Sequence, residues 1–179
     1  MSFLELAKKR QSTRSYDGEK AVENEKIEKL LEAARLAPSA CNAQPYHLTV
    51  CTGKRAMQLA DAVSGIGINR FAPDVPLFIV IAEDAYNATA KIGAKVKHND
   101  YRSIDIGIAA AYITAEAEAL GLGSCILGWF DNEKVCLATG RRETVRLVIA
   151  VGYPKNSPLR DKKRKSIPEL VTRLDKDGD

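Results

Sequence analysis

Two short stretches near the start of the chain carry side chains able to bind a flat, anionic ligand. In the first, Arg10-Gln11-Ser12-Thr13-Arg14, the residues Arg10, Ser12 and Arg14 alternate. In extended backbone such residues share a face. The two arginines then lie roughly 13 Å apart along the chain, at about 3.3 Å per residue. That pair suits a ligand with a phosphate at one end and an electron-rich ring at the other. The second stretch, Pro38-Ser39-Ala40-Cys41-Asn42-Ala43-Gln44-Pro45, sets small and amide side chains between two prolines. Backbone there can come close to something flat.

The elements that must position these residues follow from periodicity. Ser2 and Glu5 have capping-box spacing for a first helix with an apolar stripe of Phe3, Leu6 and Ala7. Asn24 is placed as the cap of a second helix. Its Ile27, Leu30, Leu31 and Ala34 recur at i, i+3, i+4 and i+7, and Pro38 stops it. Leu48 and Val50 alternate as in a strand that Gly53 closes, and residues 54–63 read as a helix. The unbroken apolar run Leu77–Ala82 predicts a central strand buried on both faces. Residues 84–100 are polar and weakly patterned, an exposed helical excursion or lid. A helix over 101–120 is apolar on nearly every side and is expected to line a dimer interface. Gly121 ends it. Cys125–Leu127 and Val145–Val151 predict strands, Asp131 a helix cap, and Ser166 with Glu169 a last capping box. Strands and helices alternate without repeats, so residues 1–179 read as one α+β domain with four or five strands under covering helices.

Composition narrows the function. The chain of 179 residues is 45% apolar, enough for a real core. The net charge is +4, with much of the excess between Arg160 and Lys165. So local an excess suits one small anionic group rather than a nucleic acid. Cys41, Cys51, Cys125 and Cys136 form no Cys-x-x-Cys pair, and only His47 and His98 accompany them, which argues against a metal site. The thiols read as reduced cysteines of a cytoplasmic protein. The first ten residues are amphipathic rather than a secretory signal, and no apolar stretch reaches the ~18 residues of a membrane span. His47 is read as a satisfied structural histidine, and His98 as a possible substrate contact. Gly121-Leu122-Gly123 is not a dinucleotide fingerprint.

Taken in order, these motifs resemble the nitroreductase family of FMN-dependent oxidoreductases. The resemblance rests on the basic-x-Ser-x-basic opening and on Ala37-Pro38-Ser39-Ala40-Cys41-Asn42-Ala43-Gln44-Pro45-Tyr46. It continues through Gly121–Cys125 with Gly128, Val151-Gly152-Tyr153-Pro154 and the basic run Lys162–Lys165. It implies a central, mostly antiparallel sheet and a homodimer. It places Arg10 and Ser12 at the FMN phosphate, joined by Lys162 and Arg164, with Lys165 as an alternative. It places Arg14 beside N1 and the C2 carbonyl, where a fixed cation stabilises the negative charge of the reduced ring. Asn69 is matched to a residue at the pyrimidine edge. Pro38, Ser39, Ala40 and Asn42 would touch flavin held mainly by the other subunit, Ala40 through backbone alone. Leu127 and Gly128 mark a backbone N–H near N5; many members carry an acidic residue where Leu127 stands.

The implied activity takes hydride from NADH or NADPH through flavin N5 to a nitroaromatic or quinone in ping-pong order, with no catalytic side chain in the strict sense. The alternative is a flavin storage or delivery protein with little turnover. No nucleic acid or membrane partner is implied.

Overall fold

The computed structural model describes residues 2–174, without the side chains of Ile66, Ala94 and Lys97. Four strands form one antiparallel sheet: β1 (Tyr46–Thr52), β2 (Leu77–Glu83), β3 (Gly123–Leu127) and β4 (Val145–Gly152). Their order is β1-β2-β4-β3, so β2 and β4 are central. Along β2 the side chains alternate. Phe78, Val80 and Ala82 enter one core, and Leu77, Ile79 and Ile81 enter the other. Both faces are covered, which is why the run is apolar throughout.

The first core is closed by α3 (Gly53–Val63) and α6 (Asn132–Thr139) through Leu59, Val63 and Val135. The second is closed by α2 (Asn24–Arg35) and α5 (Tyr101–Ala119) through Leu30, Ile106 and Ile113. Each such large side chain contributes about 1.5–3 kcal/mol on burial. The result is a three-layer α+β fold with the sheet in the middle.

Local chemistry sets the element ends. Ahead of α1 (Phe3–Lys9), the Glu5 N–H donates to Ser2 Oγ (3.3 Å) and the Ser2 N–H to Glu5 Oε2 (2.7 Å). The same reciprocal pattern joins Ser166 and Glu169 at α7 (Ile167–Leu170). Asp131 caps α6 by accepting from the Lys134 N–H at 3.1 Å. The excursion contains α4 (Ala88–Lys97), with Asn87 Oδ1 accepting from the Ala90 N–H.

Two expectations shift. Asn24 is the first residue of α2, and Glu23 occupies the cap position without a side-chain cap bond. Tyr153, from the end of the chain's last strand, holds the Glu23 carboxylate at 2.7 Å, while Lys26 donates to the same hydroxyl. β3 begins at Gly123 rather than Cys125, because Gly123 pairs with Gly152. Helix α5 is buried on one side within the chain: Ile106, Ala109, Ala110, Ile113 and Ala117 are buried, while Ile104 and Tyr112 are 49% and 42% exposed. Gly107 and Ala111 lie between them on the same open stripe. No helix among the described residues is long and apolar enough to cross a membrane.

Candidate functional site

Residues 10–17 run extended along the end of the sheet. Ser12 forms a parallel bridge with Ser124, and the Thr13 N–H donates to the Ser124 carbonyl at 2.9 Å. Four residues on, Tyr16 bridges to Pro154, and its buried hydroxyl donates to the Thr13 carbonyl at 3.0 Å. Thr13 is therefore turned inward and buried. Its side chain lies over Gly123, where an added Cβ would meet Thr13 Oγ1 at 2.5 Å. The glycine at the start of β3 is what lets the basic stretch lie this close.

With Thr13 inside, the alternating Arg10, Ser12 and Arg14 face out together. They line a cavity of about 240 Å³, closed on its other side by Arg160, Asp161, Lys162 and Arg164. Arg160 reaches back to donate to the Ser12 carbonyl at 2.5 Å, and its N–H donates to Gln11 Oε1 at 3.1 Å. Lys162 Nζ donates to the Lys8 carbonyl and, at 2.8 Å, to that of Arg10, satisfying the open C-terminus of α1. The guanidinium groups of Arg10 and Arg14 take no part in the hydrogen bonds or ion pairs formed among the described residues.

Five cations thus surround one cavity that holds a single carboxylate, Asp161. Desolvation, then the neighbouring Arg10 and Arg164, hold the Lys162 ammonium below the ordinary lysine range. Like charges gathered this way are unfavourable until an anion joins them, and a guanidinium can grip phosphate through two parallel hydrogen bonds.

Arg10 and Arg164 also line a second, larger cavity of about 740 Å³. Its walls are mostly apolar, with Phe3 and Leu6 of α1, Ala111 and Tyr112 of α5, and Ile126 of β3, and Thr114 and Glu116 of α5 add a hydroxyl and a carboxylate. The strand alternation explains the last of these. Cys125 and Leu127 point into the first core, while Ile126 points out and is 40% exposed. Leu127 therefore offers the outer side only its backbone. Gly128 follows it and is exposed. An apolar slot running into a cationic cavity matches a flat ring bearing an anionic tail. The combined size is in the range of ligand pockets.

The Pro38–Pro45 loop is elsewhere on the same chain. It lines neither cavity and packs against the start of α5 and the turn before α4. Cys41, Asn42 and Gln44 are left-handed, with φ of 51°, 49° and 43°. The Ser39 hydroxyl accepts from the Gln44 N–H (3.0 Å), the Gln44 amide donates to the Arg35 carbonyl (2.9 Å), and the Asn87 amide donates to the Cys41 carbonyl (3.1 Å). The Ala40 N–H donates to Asp105 Oδ1 at 3.0 Å. Pro38, Cys41 and Asn42 are exposed.

Asn69, left-handed at φ 53°, donates its side-chain amide to the Val63 carbonyl at 2.9 Å and so finishes α3. It lines neither cavity. His47 is exposed on the outer strand β1 rather than satisfied inside, because alternation turns it away from the core that takes Tyr46 and Leu48. His98 is exposed beyond α4. Lys165 is exposed outside the 240 Å³ cavity.

Sequence reasoning passes over several cavity residues. Arg160 is hidden in a run of like charges, and Tyr112 and Ile126 in apolar periodicity. The loop's buried partner, Asp105, had a visible signal: it is a lone carboxylate between Ile104 and Ile106.

The sequence profile of the nitroreductase family matches residues 7–69 and 64–153. An Archaeoglobus fulgidus protein, provisionally named an NADH dehydrogenase/NAD(P)H nitroreductase, is 29% identical over 159 residues, covering 86% of each chain. The crystal structure of a nitroreductase family protein from Streptococcus pneumoniae TIGR4 superposes with a TM-score of 0.81 at 23% identity, over 96% of this chain and 100% of that one. An FMN-dependent nitroreductase from Clostridium difficile R20291 superposes with a TM-score of 0.69 at 28% identity, over 93% and 94%.

Proposed function

The chain belongs to the nitroreductase family and is on that footing an NAD(P)H-dependent oxidoreductase, and we propose that FMN occupies the joined cavities beside Arg10. The observation that carries this reading is their junction: an apolar slot of about 740 Å³ and a cationic cavity of about 240 Å³ share Arg10 and Arg164. Phosphate is the complement of the second and a flat ring that of the first. Bound there, FMN would supply the two-electron chemistry, by hydride transfer at N5, that links NADH or NADPH to a nitroaromatic or quinone acceptor in ping-pong order.

The chain's own residues bind and orient. Arg10, Ser12 and Arg164 would hold the phosphate, with the Lys162 charge behind them. Arg14 lines the cationic cavity and not the slot; the family resemblance is what assigns it to the electron-rich edge of the ring as a fixed cation. Leu127 and Gly128 contribute backbone. Phe3, Tyr112 and Ile126 exclude water.

We further propose that the chain is a single domain, that it works in the cytoplasm and that two copies assemble. Their contact would cover Ile104 and the part of the α5 stripe that the flavin slot leaves open, and bring Pro38, Ser39, Ala40 and Asn42 of one copy to the flavin of the other. Sedimentation at micromolar concentration should give a dimer; a folded, FMN-loaded monomer would refute that part. The decisive experiment for the whole reading is the absorption spectrum of the purified protein. It should show a flavin band near ~450 nm that bleaches with NADH or NADPH and returns with menadione. A colourless protein that takes up no FMN on titration would overturn the proposal. A yellow protein that bleaches but turns over slowly with every acceptor would favour storage or delivery.

A further inference from the structure

Asp105 is the only charged side chain that is buried among the described residues, at 2% exposure. It is the fifth residue of α5, past the turn in which the helix dipole favours a carboxylate. Its Oδ1 accepts from the Ala40 N–H at 3.0 Å, and its Oδ2 is buried with no partner among the described residues. A buried carboxylate satisfied on one oxygen is unfavourable, and the buried side of α5 is otherwise built from residues such as Ile106, Ala109 and Ala110, so the helix's own packing does not require it. Its single bond goes to the loop that carries three left-handed residues, Cys41, Asn42 and Gln44. Such backbone persists only where its surroundings over-determine it. The other ties on that loop come from within it, from the end of α2 and from the turn before α4. Among the described residues, only Asp105 reaches it from the buried face of a core helix.

We propose that Asp105 is a positioning residue: its carboxylate fixes the Ala40 amide, and through it the left-handed loop, in the form that meets FMN on a second copy. This rests on the flavin reading above. A bond from an amide to a charged acceptor is stronger than one to a neutral acceptor, which suits a segment that must be held in shape before its ligand arrives.

Two sides of the bond can be cut separately. Asp105→Ala removes the acceptor. Ala40→Pro removes the donor, and Ser39, extended at φ −144° and ψ 158°, tolerates a following proline. Each variant should bind FMN roughly tenfold more weakly, the loss of one hydrogen bond to a charged group. The double variant should be no worse than the singles, because both delete the same contact. Asp105→Asn keeps an acceptor and the volume, and should restore FMN affinity to within about threefold. In the FMN-free protein, amide hydrogen exchange over 38–45 should rise in Asp105→Ala and stay near wild type in Asp105→Asn.

Wild-type FMN affinity and loop exchange in Asp105→Ala would overturn the assignment, as would losses that multiply in the double variant. If Asp105→Ala does not fold, Ala40→Pro and Asp105→Asn decide on the same readouts. A wild-type protein that binds no FMN would instead sink the flavin reading, a distinct outcome read before any variant is made.

Discussion

Replacing Gly123 with alanine tests whether the cationic cavity depends on a glycine at the start of β3. The new Cβ would lie 2.5 Å from Thr13 Oγ1, 2.7 Å from its Cγ2 and 2.8 Å from its Cβ. Carbon atoms in contact normally sit about 3.5–4.0 Å apart, so something must move by about an ångström. Rotating Thr13 about χ1 does not help, because its own Cβ is part of the clash. Nor can the backbone yield freely: the Thr13 N–H is held by Ser124 at 2.9 Å, and its carbonyl by the Tyr16 hydroxyl at 3.0 Å. Overpacking of this kind costs about 1–3 kcal/mol. At about 2–4 °C per kcal/mol for a chain of this size, Gly123→Ala should melt about 2–12 °C lower. The displaced segment carries Arg10, Ser12 and Arg14, so FMN affinity should fall with stability. Thermal melting and flavin titration read the two effects. In a Thr13→Gly background the obstruction is gone, and adding Gly123→Ala should cost under about 0.5 kcal/mol. An equal cost in both backgrounds would refute the steric argument. Unchanged melting and FMN affinity in the single variant would refute the role of Gly123 altogether.

Three other outcomes follow from the same geometry. Arg14→Ala should loosen FMN and lower the flavin reduction potential, together by about 1.5–3 kcal/mol, the scale of a hydrogen bond to a charged group; potential and affinity both unchanged would leave Arg14 a mere surface charge. FMN should bind far more tightly than riboflavin, by a margin that shrinks with added salt and falls in Arg10→Ala and Arg164→Ala. Lys162→Ala should instead act mostly by fraying α1, seen as faster amide exchange over residues 6–10, since its ammonium serves the Lys8 and Arg10 carbonyls. Burial pushes the Tyr16 phenol and the Cys51 and Cys125 thiols above their ordinary values. Each stays protonated in the fold where the unfolded chain would ionise it, so melting temperature should hold below about pH 9 and fall above it. Tyr16→Phe should flatten that alkaline decline, and an unaltered slope would remove Tyr16 from the account.

The sheet and its covering helices were legible because their signals are local. The unbroken run of six apolar residues, Leu77–Ala82, marks β2 as central, and Ser2 with Glu5 or Ser166 with Glu169 form caps from residues three apart. Errors arose where a distant residue competes for a local role. The cap position of α2 falls on Glu23, whose carboxylate makes no cap bond and is held instead by Tyr153, 130 positions away. The candidate site divides along the same line. Arg10, Ser12 and Arg14 could be placed on one face from their spacing, since an extended chain has a fixed period. That Lys162 is spent largely on α1 could not, because its partners lie 152 and more residues earlier.

Asp105 marks the limit most sharply. A carboxylate between two isoleucines in an apolar helix announces a buried charge, and the helical period even gives its side. Periodicity describes how an element meets its surroundings, however, not which group waits there. The Ala40 N–H belongs to a loop whose conformation has no period, and its left-handed residues include Cys41 and Gln44, neither of which favours that region as glycine does. The sequence therefore displays the cost of Asp105 without displaying its purpose. A buried charge with no partner in its own helix is a reason to search the aperiodic segments for an unpaired amide.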